Sequence, residues 1–282
     1  GGVGKTSFTV NFAIALTRSN RRVLIIDGDM GLANVDVMLR LSVKHNIQDL
    51  LESGADPRQA LMMVRPNLAV LPGSSGVPEM VSLGQDQQRR LAGFIKTVAS
   101  DYDYILIDTA AGIGASVLWY NRFCDHNLFI LSPDPTSMTD AYALIKLLAK
   151  DYDVRRFNLV LNLVRGTREG DHTVQTITRV TQRFLGLELA HLGSIPEDKA
   201  VRRAVLDLKY RGRLRNAEYL AELLAAAIWQ QPWAQGLDLL AQKVGLFGDR
   251  INPLHPLIRR GAVCAAITLG GERAQDDLNR VA

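Results

Sequence analysis

The sequence predicts a doubly wound, mostly parallel α/β sheet, and three observations predict it. Strand-like and helix-like stretches alternate from Thr6 to about Leu192, as they do where a crossover helix joins each strand to the next. Two continuous apolar runs, Val23-Leu24-Ile25-Ile26 and Tyr104-Ile105-Leu106-Ile107, read as strands buried on both faces, and both end in acid, at Asp27-Gly28-Asp29 and at Asp108. The chain opens on a glycine-rich turn, Gly1-Gly2-Val3-Gly4-Lys5-Thr6-Ser7, followed at once by a stretch that reads as an amphipathic helix from near Phe8.

Taken in order, the spacing predicts helices at Thr6 to Arg18, Gln85 to Ser100, Gly114 to Phe123, Thr136 to Asp151, Thr173 to Phe184 and Asn216 to Trp229. Strands fall between them at Val23 to Asp27, Leu68 to Leu71, Tyr104 to Asp108, Leu128 to Leu131, Asn158 to Leu163 and near Leu192. A strand preceding Gly1 would be central in such a sheet. The expectation is therefore an N-terminally truncated sheet with its first strand missing, less stable than its parent. Residues 1–230 read as one domain, and 231–282 as a partly helical tail.

The chain has 282 residues and 47% hydrophobic content, ample for a core. Its two cysteines, Cys124 and Cys264, lie far apart without C-x-x-C spacing, which argues against a disulfide framework or zinc site and for a reducing cytoplasm. Each reads as a small buried hydrophobe. No leader pattern is visible, and the longest apolar runs, such as Gly261 to Gly270, are too short to span a bilayer. The net charge of +4 is uneven, with Arg202, Arg203, Lys209, Arg211, Arg213 and Arg215 crowded together. Such a run binds anionic lipid or nucleic acid, or is simply a solvated helix face with a loop; the second reading is preferred.

The opening turn carries chemistry. Successive backbone N–H groups at the start of a helix point at one spot and cradle phosphates, aided by the helix dipole. Lys5 adds positive charge and Thr6 a hydroxyl for Mg²⁺. The full pattern G-x-x-x-x-G-K-[ST] has its first glycine ahead of Gly1, so only the second half is seen. Acids at the ends of neighbouring strands are what such a loop needs, because Mg²⁺ and an attacking water both require oxygen ligands near the terminal phosphate. A single Asp there is often an N-cap or turn residue. Three acids at two strand ends, downstream of Gly-Lys-Thr, make coincidence a poor explanation.

These stretches resemble the MinD/ParA family of deviant-Walker P-loop ATPases: Gly1 to Thr6 its P-loop, Asp27 to Asp36 its switch I, and Asp108-Thr109-Ala110-Ala111-Gly112-Ile113 its switch II. Leu32 to Val37, Pro135 to Lys146 and Leu161-Asn162-Leu163-Val164-Arg165 look most like its FlhG (FleN) branch of flagellar-number regulators. The resemblance runs from Gly1 to about Val205. It implies an ATP- and Mg²⁺-dependent switch of the P-loop NTPase type. Gly1, Gly2, Val3, Gly4, Lys5, Thr6 and Ser7 would hold phosphate; Lys5 and Asp29 would be catalytic, Asp29 by orienting water; Thr6, Asp27 and Asp108 would hold the Mg²⁺ shell. Asp36 and Asn34 would be nucleotide contacts or, preferably, loop-stabilising residues. Asn162 sits where the family reads adenine, and Pro196 lies in Gly193 to Asp198, which resembles the loop beside the base; an Asn at a strand end is otherwise a turn former. No N-K-x-D or T-K-x-D run is present, so ATP is preferred to GTP.

The family also carries a lysine just before the Gly-Gly-Val-Gly run that reaches a dimer partner's phosphates; that position precedes Gly1. Without such a charge in trans the chain is expected to hydrolyse ATP poorly. The resemblance further implies an ATP-dependent homodimer, the flagellar GTPase FlhF, flagellar switch-complex proteins and a flagellar transcription activator as partners, and peripheral association with the inner face of the cell membrane. Nucleic acid is not expected as a partner. MinD-like division-site positioning and ParA-like DNA partitioning are the alternatives. A reductase on this scaffold would need paired cluster-binding cysteines, which Cys124 and Cys264 do not supply. Past the basic run the chain departs from the branch. Leu208 to Arg213, then a Trp229 and Trp233 region, stand where a membrane-targeting helix is usual. Leu237, Leu240, Ala241, Val244 and Phe247 form an apolar stripe, but Asp238, Gln242 and Lys243 make its polar face non-basic, so docking on the core is preferred to membrane binding.

Overall fold

The computed structural model describes residues 2–18, 20–31, 33–53, 57–74 and 84–198 and the backbone of 262–267. Gly1, Leu32, the helix expected at Asn216 to Trp229, the basic run from Arg202 to Arg215, the 230 domain boundary and the Leu237 to Phe247 stripe lie outside the described residues. The described elements are α1 (Lys5–Arg18), β1 (Val23–Gly28), α2 (Val35–Leu39), α3 (Ile47–Ser53), β2 (Met62–Arg65), β3 (Leu68–Leu71), α4 (Gln85–Val98), β4 (Tyr104–Ala111), α5 (Ala115–Phe123), β5 (His126–Leu131), α6 (Pro135–Asp151), β6 (Phe157–Val164), α7 (Thr167–Leu185), β7 (Leu189–Pro196) and β8 (Ala262–Ile267). They fall into two compact units, Thr6–Asp108 and, with residues 2–5 and 263–267, Thr109–Glu197.

Within Thr6–Asp108 the strand order is β2-β3-β1-β4. β1 runs parallel to β3, Val23 opposite Leu68 through Ile26 opposite Leu71. Every residue of β1 and β3 is buried, which is why both read as unbroken apolar runs. β2 is antiparallel to β3 across the tight Pro66-Asn67 turn, with Asn67 at φ +67. It is an edge strand whose Met63 is exposed, so it has no buried face for a sequence pattern to reveal. The core joins Ile25 and Ile26 of β1, Val70 of β3, and Leu91, Ile95 and Val98 of α4. Each such side chain contributes roughly 1.5–3 kcal/mol by leaving water.

α1 corrects an expectation. It is not amphipathic: Phe8 through Leu16 are all buried. A helix buried on every side along its middle belongs inside a domain, and its buried polar residues, Thr9 and Asn11, are hydrogen-bonded there.

Within Thr109–Glu197 the order is β8-β5-β6-β7, and all three pairings are parallel. Phe129 and Leu131 of β5, Tyr142, Ile145 and Leu148 of α6, Phe157 and Leu159 of β6, and Ile177 and Val180 of α7 make its core. α6 starts cleanly because Asp134 accepts hydrogen bonds from the Thr136 N–H and hydroxyl, with Pro135 at the first helical position. α7 begins two turns before the expected Thr173. Gly166 and Gly170 hide its start in the sequence, yet Gly170 is inside the helix, where it packs closely on β6: a Cβ there would lie 3.2 Å from Cγ1 of Val164. Within the stretch expected as a partly helical tail, residues 262–267 form the strand β8.

Cys124, at the end of α5, is half-buried and disulfide-bonded. This corrects the reading of the cysteines as unpaired hydrophobes: separation along the chain does not bear on approach in space, which is what a bridge requires.

One backbone position is strained. Leu163 of β6 sits at φ +61 and is 39% exposed, so it adopts a left-handed conformation with little burial in return. Leu163→Asn, which tolerates that conformation, is expected to raise stability by about 0.5–1 kcal/mol in urea denaturation. A loss of stability would show that the leucine's partial packing outweighs the strain.

Candidate nucleotide-binding site

The phosphate loop is shaped by glycine. Gly2 and Gly4 have φ of +104 and +88, a region open to glycine and costly for other residues. Between them Val3 is buried. α1 starts at Lys5 and carries no acidic residue in its first turn, so no side-chain charge there offsets the positive end of the helix dipole. Lys5, Thr6 and Ser7 are all half-buried, and the Ser7 hydroxyl rests against Sδ of Met38 at 3.9 Å.

The acids come together at the ends of β1 and β4. Asp27 is fully buried, and its carboxyl accepts three backbone N–H groups: Asp29 at 3.2 Å, and Asn34 and Val35 at 3.0 Å each. Asp108 is buried as well and accepts from the Thr9 hydroxyl at 3.1 Å. Thr9 lies one turn beyond Thr6 on the same face of α1, so this bond ties the helix's first turns to the end of β4. Burial, and then the charge of Asp108, push the Asp27 carboxyl up to about 8, against the lowering pull of its three N–H donors. Asp29, half-buried, follows at the tip, its carboxylate 3.4 Å from the Gly31 N–H.

Two buried carboxylates that repel each other beside a threonine-bearing helix start are a site a cation would relieve. Among the described residues no cluster of three or more His, Cys, Asp or Glu is present. Mg²⁺ in nucleotide sites is held by one or two carboxylates together with phosphate oxygens and water, so the donor set fits Mg²⁺ brought with phosphate better than a protein-only metal cage.

Switch I stays local. Asn34 precedes α2 without a side-chain cap, and the Asp36 carboxylate accepts from the adjacent Val37 N–H at 2.8 Å. The backbone of Asn34, not its side chain, serves Asp27.

At the far end of β6 the Asn162 amide donates to the Val3 carbonyl at 2.8 Å. Pro196 ends the neighbouring β7, opposite Val164, and the next residue's N–H, that of Glu197, donates to the Val164 carbonyl. Asn162 and Pro196 thus stand near the ends of adjacent strands, Pro196 as the last residue of β7 and not in the loop that the resemblance implies.

Two residues were missed. Thr9 has no motif of its own, and only its bond to Asp108 reveals it. Gly73 follows β3, and a Cβ there would lie 2.9 Å from the Asp27 carbonyl oxygen and 3.3 Å from its Cγ; the one signal was the turn-forming Pro72-Gly73-Ser74 at the strand end.

A glycine loop opening a buried helix, with acids at the ends of two strands of a mostly parallel sheet, defines a P-loop nucleotide-binding fold. The chain belongs to the CobQ/CobB/MinD/ParA nucleotide binding domain family, whose profile matches residues 1–209. Antiactivator FleN of Pseudomonas aeruginosa is 41% identical to it over 205 residues, 73% of each chain. Flagellum site-determining protein YlxH of Helicobacter pylori is 34% identical over 212 residues, 74% of this chain and 71% of its own. Among solved structures, the septum site-determining protein MinD of Pyrococcus horikoshii, complexed with Mg-ADP, matches with a TM-score of 0.60 and 25% identity over 83% of this chain and 93% of its own. The MinC:MinD cell division complex of Aquifex aeolicus gives a TM-score of 0.64 and 26% identity over 93% and 96%. The doubly wound α/β class and the membership of the MinD/ParA family both hold.

Proposed function

We propose that this chain is an ATP-binding and ATP-hydrolysing switch that regulates flagellar number and placement. It cycles between a membrane-bound ATP dimer and a cytosolic monomer. The observation that carries the flagellar reading is the 41% identity to an antiactivator named FleN, supported by the likeness to a flagellum site-determining protein. The nucleotide reading rests on the family match together with the loop and acid geometry.

In this reading the N–H groups of residues 1–7 hold the β- and γ-phosphates and Lys5 neutralises their charge. Thr6, Asp27 and Asp108 hold Mg²⁺, which when bound supplies charge neutralisation at the phosphates. Asp29, half-buried at the tip beyond Asp27, orients the attacking water. The three N–H bonds to Asp27 come from the switch I backbone, so a change in the charge state of Asp27 is transmitted to the segment 29–35. Asn162 and Pro196 lie at the base. With its nitrogen committed to Val3, the Asn162 amide has its oxygen, an acceptor, to offer the 6-amino group of adenine.

An ATP-dependent homodimer, FlhF, switch-complex proteins and a transcription activator are the partners of this reading. Among the described residues no helix is long and apolar enough to cross a membrane, and the membrane step of this reading is peripheral binding. Liposome co-sedimentation tests it: more protein is expected to pellet with Mg-ATP than with Mg-ADP, and equal pelleting counts against the membrane switch. MinD-like division-site positioning is the second reading, favoured by the MinD structural likeness. Cells lacking the protein are expected to change flagellar number with septum position unaltered; misplaced septa with normal flagella would favour the second.

A further inference from the structure

Asn162 does more than stand near a base. Its Nδ2 reaches back 159 positions to donate to the Val3 carbonyl at 2.8 Å. The backbone around it is built for this contact. Leu161 pairs with Ser194 and Val164 with Pro196, so β6 carries one more residue than β7 over this stretch. That bulge holds Leu163 at φ +61, a conformation costly for a leucine and, at 39% exposure, poorly repaid by packing. Bulges re-aim side chains near functional sites, and the side chain re-aimed here is Asn162.

The loop is matched to it. A Cβ on Gly4 would lie 2.7 Å from Asn162 Nδ2, closer than real Cβ contacts come, so the glycine leaves room for the amide as well as permitting φ +88. The consequence follows from peptide geometry. The Val3 carbonyl and the Gly4 N–H belong to one planar trans peptide and point in opposite directions. A hydrogen bond that pins the carbonyl therefore aims the N–H on the other side.

We infer that Asn162 is a positioning residue for the phosphate loop: through the Val3 carbonyl it fixes the direction of the Gly4 N–H, and so strengthens the hold on a phosphate chain whatever base is attached. This rests on the nucleotide-binding reading above and goes beyond a role in recognising adenine.

The test separates the two roles with a ligand that has no base. Calorimetric titration of the wild type, Asn162→Asp and Asn162→Ala with Mg-ATP and with Mg-tripolyphosphate measures each affinity. Asn162→Asp keeps the side chain's size but cannot donate to Val3, so it serves if the alanine variant folds poorly; circular dichroism and melting temperature check both. Both variants are expected to lose about 10-fold in affinity for ATP and a similar factor for tripolyphosphate, the loss of one aligned donor. A loss confined to ATP, or no loss with either ligand, overturns the positioning role. So does a wild type that holds ATP but not tripolyphosphate. A wild type that binds neither ligand removes the nucleotide-binding reading itself, and is distinguished by that from the other results.

Discussion

Replacing Lys5 with alanine is expected to lower the affinity for Mg-ATP by about 100-fold while leaving the fold intact. The side chain heads α1, in a first turn without acidic residues, where it adds a full charge to the partial charge of the helix start. Charge-assisted hydrogen bonds are worth about 1.5–3 kcal/mol, and a 100-fold loss corresponds to about 2.7 kcal/mol. Lys5 is half-buried and is not part of the apolar core, so the melting temperature without nucleotide should move little. Lys5→Arg should not rescue binding, because a planar guanidinium is bulkier than an ammonium and presents a different donor geometry. Titration calorimetry measures the affinity. Unchanged ATP binding in Lys5→Ala would remove the phosphate loop from the account.

The second large effect concerns Asp27, and it separates stability from metal binding. Burial and the neighbouring Asp108 raise its carboxyl to about 8 from an ordinary value of 3.8. A carboxyl raised on folding stabilises the native state by holding its proton. That contribution is complete below about pH 4 and is lost as pH rises through about 8. Without metal, stability should therefore fall between those limits. Asp27→Asn keeps an acceptor for the backbone donors and mimics the protonated form, so its unliganded stability should match wild type near pH 4 and exceed it at pH 7, and this part of the pH dependence should vanish. Asp27→Ala leaves the N–H groups of Asp29, Asn34 and Val35 without their acceptor and is expected to cost about 3 kcal/mol. Both variants should lose stabilisation by Mg-ATP, which the wild type should show as a rise in melting temperature. Urea denaturation across the pH range, with and without Mg-ATP, reads all of these quantities. A pH profile in Asp27→Asn identical to wild type would contradict the assignment of the buried charge.

Much of this was legible in the sequence because the informative residues are adjacent in the chain. The Gly-Lys-Thr loop, the two apolar runs and the acids that end them are local patterns, and strands buried on both faces are continuous hydrophobic runs. What escaped depends on distance. Thr9 and Asp108 are 99 positions apart, and Asn162 and Val3 are 159 apart; neither pair leaves a mark on its own neighbourhood. Gly73 is a close-approach glycine without positive φ, which reads as an ordinary turn. The opening turns of α7 were masked by Gly166, its N-cap, and by Gly170, whose low helix propensity is overridden by packing against β6. β2 was hidden because an exposed edge strand shows no alternation. The left-handed Leu163 is the instructive case: nothing in Leu161-Asn162-Leu163-Val164 signals a bulge, and the strain makes sense only once the amide it aims is seen on the loop.

The central claim is that ATP switches this chain between two assembly states. Sedimentation velocity with saturating Mg-ATP and with Mg-ADP measures that directly. A dimer with ATP and a monomer with ADP is the predicted result, while the same mass with both nucleotides would contradict it.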